Sequence, residues 1–328
     1  MALTEEGLIA TPGLLSRYVR LSTGVRAHYM TAGETGPGVV LLHGGIAGSS
    51  GVAGWRYMAP FLGAHGFRVY APDMPFFGHT SDPEQRYAHG QGGHVDFLHD
   101  FANALCLDTF HLGGNSMGTA DGTQYLVAHP ERVTSFAFIA GPVGDLVPMS
   151  KIREADTRGP DEVPKRYLFD GSPESMRKMM EGVVYDPTLI SDELVEMRTQ
   201  AANRHSDTYG PAMARWQAPN TGTADATELA RLRTKGRLDE VETPGIYLFG
   251  RQDALYPLAG GHLQEDALPR VQFFYPDETG HQGQTDQPDL FNQVFLEFFR
   301  DGKVSRTTAQ RAGVSDRRPV NPGLVAVQ

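Results

Sequence analysis

The pentapeptide Gly114-Asn115-Ser116-Met117-Gly118 limits the fold of this chain more than any other stretch. Before it runs the largely apolar segment 108–113, short enough for a buried strand; after it, 119–129 reads as a helix halted by Pro130. Strand, sharp turn and helix around G-x-S-x-G push a serine hydroxyl out of the fold at the tip of a strained turn. The two glycines let strand and helix approach closely. The first amides of the helix, that of Met117 included, point toward the place where an oxyanion would form. Taken alone, the motif is equally a glycine-rich β-to-α turn with an ordinary serine. The flanking strand and helix favour the reactive reading.

The same alternation recurs along the chain. Segments 17–22 and 25–30 alternate around Thr23-Gly24 and predict an antiparallel hairpin. The run Val39–Leu42 is apolar throughout, as in a central strand covered on both faces, and ends in His43-Gly44-Gly45. A helix over 55–65, a strand over 67–72, a helix over 93–105 and a strand over 133–140 follow. Strands return at 245–249 and 271–275. Residues 290, 291, 294, 295, 298 and 299 then form the apolar stripe of a last helix. This order predicts a mostly parallel sheet wrapped by helices on both faces, with ligands beyond the carboxyl ends of its strands.

Between 145 and 230 the strand rhythm is lost. Ser172 and Ser191 each open a helix-like piece with acids in its first turn. The expected organisation is a core of 1–144 and 231–300, a helical cap over 145–230, and a polar tail, 301–328, that is loose or docks on a neighbouring subunit. Residues 1–16 read as a loose arm.

With 328 residues the chain can bury a substantial core, and a net charge of −10 without a dense Lys/Arg block argues against a nucleic-acid surface. The single cysteine, Cys106, sits in the apolar run 104–107 and reads as a packed core thiol. No signal-peptide pattern opens the chain and no apolar run reaches the length of a membrane span. A cytoplasmic protein acting on a small molecule, without nucleic-acid or membrane partners, is the expectation.

A serine hydroxyl needs a base, and the base needs an orienting acid. Downstream of Ser116, Asp253 and His281 each follow a strand end, giving the chain order Ser…Asp…His. Asp277 and Glu278 are alternative acids, set closer to His281 than strand-end geometry favours. The His43 loop supplies the second half of an oxyanion hole, through the amide of Gly45 or Ile46 beside that of Met117. A phosphate loop is not indicated, since Gly-Lys-Ser/Thr and G-x-G-x-x-G are both missing. No metal is expected either: His89, His94 and His99, near Asp96 and Asp100, do not have a recognised ligand spacing.

With these residues in hand, the chain resembles the α/β-hydrolase superfamily over roughly residues 15–300. Within it the likeness is greatest to the meta-cleavage product hydrolases, which cleave a carbon–carbon bond in vinylogous 1,5-diketones of aromatic catabolism. The likeness rests on His43-Gly44-Gly45 with the stretch to Trp55, on 114–118, and on Gly250-Arg251-Gln252-Asp253 with Pro257. In the cap it rests on 176–180, 184–186, 189–194 and Arg198. The resemblance implies an α/β-hydrolase fold with a helical cap, no cofactor, and a homodimer or homotetramer. It implies substrate contacts at Gly44, Asn115, Arg198 and Gln282, with Arg198 on the dienoate carboxylate.

Two positions depart from the family. Gln282 follows the histidine where tryptophan is usual, and Arg56 follows Trp55 where an asparagine is usually near. Carbon–carbon bond hydrolysis is therefore the first reading. Ester or lactone hydrolysis through an acyl-serine is the alternative. A binding receptor or a cofactor-free oxygenase on the same frame comes third.

Overall fold

The computed structural model describes residues 3–82, 84–159 and 168–326. Eight strands form one sheet: β1 (Leu15–Arg20), β2 (Arg26–Ala32), β3 (Gly38–Leu42), β4 (Arg68–Pro72), β5 (Phe110–Asn115), β6 (Val133–Ile139), β7 (Gly245–Leu248) and β8 (Gln272–Phe274). Their order is β1-β2-β4-β3-β5-β6-β7-β8. The β1–β2 hairpin is antiparallel and β2 lies antiparallel to β4, while β4 through β8 are parallel throughout.

The apolar run of β3 shows why the sheet is covered on both sides. Val39 and Leu41 enter one buried cluster, with the helices Met58–Ala64 and Pro288–Asp301. Val40 and Leu42 enter the other, with Gln91–Ala104 and Met117–Ala128. Side chains that alternate across a strand need two helical layers if every one of them is apolar. The stripe predicted for the last helix is buried in full, from Leu290 to Phe299. The helix expected over 55–65 is instead two pieces, Gly51–Trp55 and Met58–Ala64.

Between β6 and β7 the described chain forms helices only, the longest being Pro173–Glu181, Asp192–Arg204 and Ser206–Trp216. Ser172 and Ser191 cap the first two as anticipated, each accepting an amide three residues on.

Three expectations need correction. Residues 3–14 are not loose: Leu8, Ile9 and Leu14 are buried. The tail is not loose either. Helix Arg306–Arg311 packs beside the last core helix, and Val314 bridges Phe274 of β8. Cys106 is exposed, because the helix before it ends in a turn that it enters with φ 54°. The left-handed turn, not the apolar flanks, decides where this thiol points.

Candidate active site

Because β3, β5, β7 and β8 run parallel, the segments after their carboxyl ends gather at one edge of the sheet. Asp253 and His281 meet there. Asp253 Oδ2 lies 2.8 Å from His281 Nδ1, and both residues are buried. The other oxygen, Oδ1, accepts the amides of Leu255 and Tyr256 at 2.8 and 2.9 Å. A carboxylate held this way is an acceptor at both oxygens, which assigns the imidazole proton to Nδ1 and leaves Nε2 basic. His281 Nε2 is buried and has no hydrogen-bond partner. The ring of Tyr256 lies parallel to the imidazole, centroids 5.8 Å apart. Asp277 turns elsewhere: it is exposed and accepts from Gln252 Nε2 at 2.6 Å.

Ser116 has φ 57° and ψ −114°, a conformation that costs a non-glycine residue about 1–3 kcal/mol. Its amide holds the turn by donating to Ile139 O and Ala140 O at 3.0 and 2.6 Å. The flanking glycines are sterically required. A Cβ at 114 would sit 2.4 Å from Gly118 O, and one at 118 would sit 2.2 Å from Leu42 O. Asn115 joins the turn to the histidine loop, its Nδ2 donating to His281 O at 2.9 Å. Asn115 Oδ1 is left unpartnered on the side where Gly44 passes. Ser116 is not hydrogen-bonded to His281 Nε2; contacts of this kind often form only in the substrate complex.

The His43 loop is fixed at two carbonyls. His43 Nδ1 donates to Gly44 O at 2.7 Å while its Nε2 accepts the Met74 amide at 3.0 Å, so the ring is neutral, and burial lowers its pKa. Tyr209, from the cap helix Ser206–Trp216, donates to Gly45 O at 2.9 Å. In a trans peptide the next N–H points away from that carbonyl. The two contacts therefore orient the amides of Gly45 and Ile46. Among the described residues no acceptor takes those amides or that of Met117. Gly45 packs directly on Met117, where an added Cβ would meet the Met117 sulfur at 2.9 Å.

Arg198 lies on the cap helix Asp192–Arg204 and is 1% exposed. Its guanidinium donates to Ala47 O at 3.3 Å and Ser49 Oγ at 3.1 Å, and its Nε has no partner. Burial, and then the nearby Arg56 charge, pull its pKa down to about 10. Gln282 is buried as well, and its amide donates to Val183 O at 2.9 Å, which seats the cap on the histidine loop. Asp286 adds to that seat by accepting the Tyr185 and Gly280 amides, both at 2.8 Å.

Sequence reasoning missed Tyr209, Asp286 and a second cap anchor. Asp121 takes the Trp216 indole N–H on Oδ1 at 2.8 Å and His94 on Oδ2 at 2.7 Å. These contacts cross long stretches of sequence and carry no local spacing signal. His28, Asp73 and His79 lie close enough to share a cation, but Asp73 is already committed. It binds His28 and the amides of His79 and Gly51, each at 2.7 Å, and so braces the helix after the His43 loop.

Residues 37–288 match the family described as alpha/beta hydrolase fold. The chain belongs to that family. It is 30% identical to a 2-hydroxy-6-oxo-6-phenylhexa-2,4-dienoate hydrolase of Burkholderia cepacia, over 84% of this chain and 92% of that one. A 2-hydroxy-6-oxononadienedioate/2-hydroxy-6-oxononatrienedioate hydrolase of Pseudomonas putida is 27% identical, covering 87% and 96%. Among solved structures, the 2-hydroxy-6-oxo-6-phenylhexa-2,4-dienoate hydrolase of Rhodococcus sp. strain RHA1 is similar, with a TM-score of 0.68 and 27% identity. The match covers 88% of this chain and 99% of that one. Among the described residues of this hydrolase, no helix is long and apolar enough to cross a membrane.

Proposed function

We propose that the chain hydrolyses a carbon–carbon bond in a 2-hydroxy-6-oxo-dienoate, a ring-fission product of the kind on which its relatives act. The observation that carries this reading is Arg198. It is a buried guanidinium bonded to Ala47 and Ser49, just past the His43 loop, with its Nε unpartnered and only neutral groups bonded to it. A planar fork of this kind suits a carboxylate, whereas a neutral ester leaves it uncompensated.

In this scheme His281 relays the proton of the substrate's enol hydroxyl to carbon, giving the keto tautomer. Ser116, or a water deprotonated by His281, then adds to the ketone. The amides of Met117 and of Gly45 or Ile46 hold the resulting oxyanion. Cleavage of the carbon–carbon bond releases a dienoate, and the acyl half leaves as an acid after water adds. Asn115, Gly44 and Gln282 border the substrate. The scheme calls on no cofactor. A homodimer or homotetramer in the cytoplasm, acting on a small molecule, completes the proposal; a single cysteine accords with that compartment.

The test compares a yellow dienol ring-fission product with a small p-nitrophenyl ester in wild type and Arg198→Gln. Losing a charge-assisted contact of about 2–3 kcal/mol should lower dienoate turnover by about two decades and barely alter the ester rate. Small, equal losses on both substrates would favour ester or lactone hydrolysis instead.

A further inference from the structure

Two guanidinium groups, not one, are buried without an acid among the described residues. Arg56 is 4% exposed and Arg198 1%. Arg56 donates to Ala53 O at 3.1 Å and to the Tyr57 hydroxyl at 3.2 Å, and its carbon lies 4.3 Å from the centre of the Tyr57 ring. Both its partners are neutral, as are those of Arg198, and among the described residues neither arginine pairs with a carboxylate. All four hydrogen-bond partners come from the single stretch 47–57 that leaves the His43 loop. The Arg56 charge is also the second cause, after burial, of the lowered Arg198 pKa.

Burying one unpaired cation is costly, and placing a second beside it adds repulsion. Packing alone does not call for this, because a methionine would fill the space of Arg56 without the charge. The imbalance closes when a ligand brings negative charge. Because the two guanidiniums are held by one short stretch, the charge they match lies at one end of the ligand, not at opposite ends.

We infer that Arg56 is a second anion-holding residue of this site, and that with Arg198 it selects a head group bearing two negative charges on neighbouring oxygens. The substrate class is a carboxylate with an ionised oxygen on the adjacent carbon. This deepens the dienoate reading and rests on it: a 2-hydroxy-dienoate carries such a head once its enol is ionised. Arg198 alone serves a lone carboxylate. Arg56 adds the preference for the second charge.

The experiment is calorimetric titration of the full chain with oxalate, whose two charges lie on adjacent carbons, and with acetate, which carries one. Wild type should bind oxalate at least about tenfold more tightly than acetate, the ratio that about 1.4 kcal/mol represents. Arg56→Met should bring the two ligands to parity by weakening oxalate alone, and Arg198→Gln should weaken both. A purely structural role for Arg56 makes a different forecast. Losing its bonds to Ala53 and Tyr57 would lower the melting temperature and leave the oxalate preference intact. We expect R56M to melt no lower than wild type, with oxalate raising the melting temperature of wild type only. Parity already in wild type, an unchanged preference in R56M, or failure of R56M to fold would each overturn the inference. These titrations involve no turnover, so a wild type that prefers oxalate yet cleaves no dienol would reject the proposed reaction and keep the anion site.

Discussion

Asp253 meets the demands on an orienting acid at every atom. One oxygen holds His281 Nδ1 at 2.8 Å, and the other is fixed by two backbone amides that keep the carboxylate from rotating. Asparagine at 253 would keep the shape but present an NH₂ group to one of these partners. It would then either lose the amides or favour the wrong imidazole tautomer. Asp253→Asn should therefore fold normally and lose roughly three to four decades of rate. Asp277→Asn, altering an exposed acid bonded to Gln252, should stay within about twofold of wild type, as surface changes usually do. Steady-state rates and melting curves of the two variants decide this; an active D253N beside a dead D277N reverses the assignment. Ser116→Ala should retain the fold and lose several decades, since a triad acts as a unit. Wild-type-like kinetics in folded S116A would remove the serine from the mechanism.

At the level of elements, the helices between β6 and β7 brace the loop that follows β3. Tyr209 reaches from the cap helix to Gly45 O, and burial pushes its hydroxyl up to about 12, so it stays protonated as a donor at any working pH. Tyr209→Phe would leave that carbonyl unbonded and free the Gly45–Ile46 peptide to rotate, a penalty of about 1–3 kcal/mol. If this peptide supplies the oxyanion donor, the loss belongs to kcat, about tenfold or more, with KM little changed. A KM effect alone would place Tyr209 at the substrate instead. The sequence made the strand ends readable, because an apolar run followed by glycine and a polar residue has a local signature. Ser116, Asp253 and His281 each carry that signature, and the structure brings Asp253 and His281 into contact. Tyr209, Asp286 and Asp121 carry none, since Gly45, Tyr185 and Trp216, which they meet, lie far along the chain and only tertiary packing brings them in. Cys106 misled for the opposite reason: its apolar neighbours suggested burial, but a positive-φ turn outweighed them.

For the whole molecule, the segment after the last core helix decides which sheet edge is open. Parallel sheets end in strands with unpaired backbone groups, and an apolar edge of this kind invites pairing with another chain. Here the tail occupies the β8 edge. Ser315 N donates to Phe273 O at 2.9 Å and Tyr275 N donates to Gly313 O at 2.7 Å. The Arg318 guanidinium binds the carbonyls of Glu265, Leu268 and Val271, while Arg317 pairs with Asp266 and Asn321 N meets Gln272 Oε1 at 2.9 Å. Val304, Ala309, Ala312, Leu324 and Val325 are buried in the process. Any dimer or tetramer of the full chain must therefore use a surface other than the β8 edge. A variant ending at Gly302 would uncover Phe273 and Phe274, both fully buried in the full chain, together with the edge carbonyls. We expect its melting temperature to fall by roughly 5–10 °C, since several apolar side chains lose contact at once. We also expect it to elute as a larger, concentration-dependent species in size-exclusion chromatography. Ser116 directly follows β5, three strands in from that edge, so turnover per folded chain should be retained. A truncated chain that melts and elutes like the full one would show that the tail neither stabilises the sheet nor guards its edge.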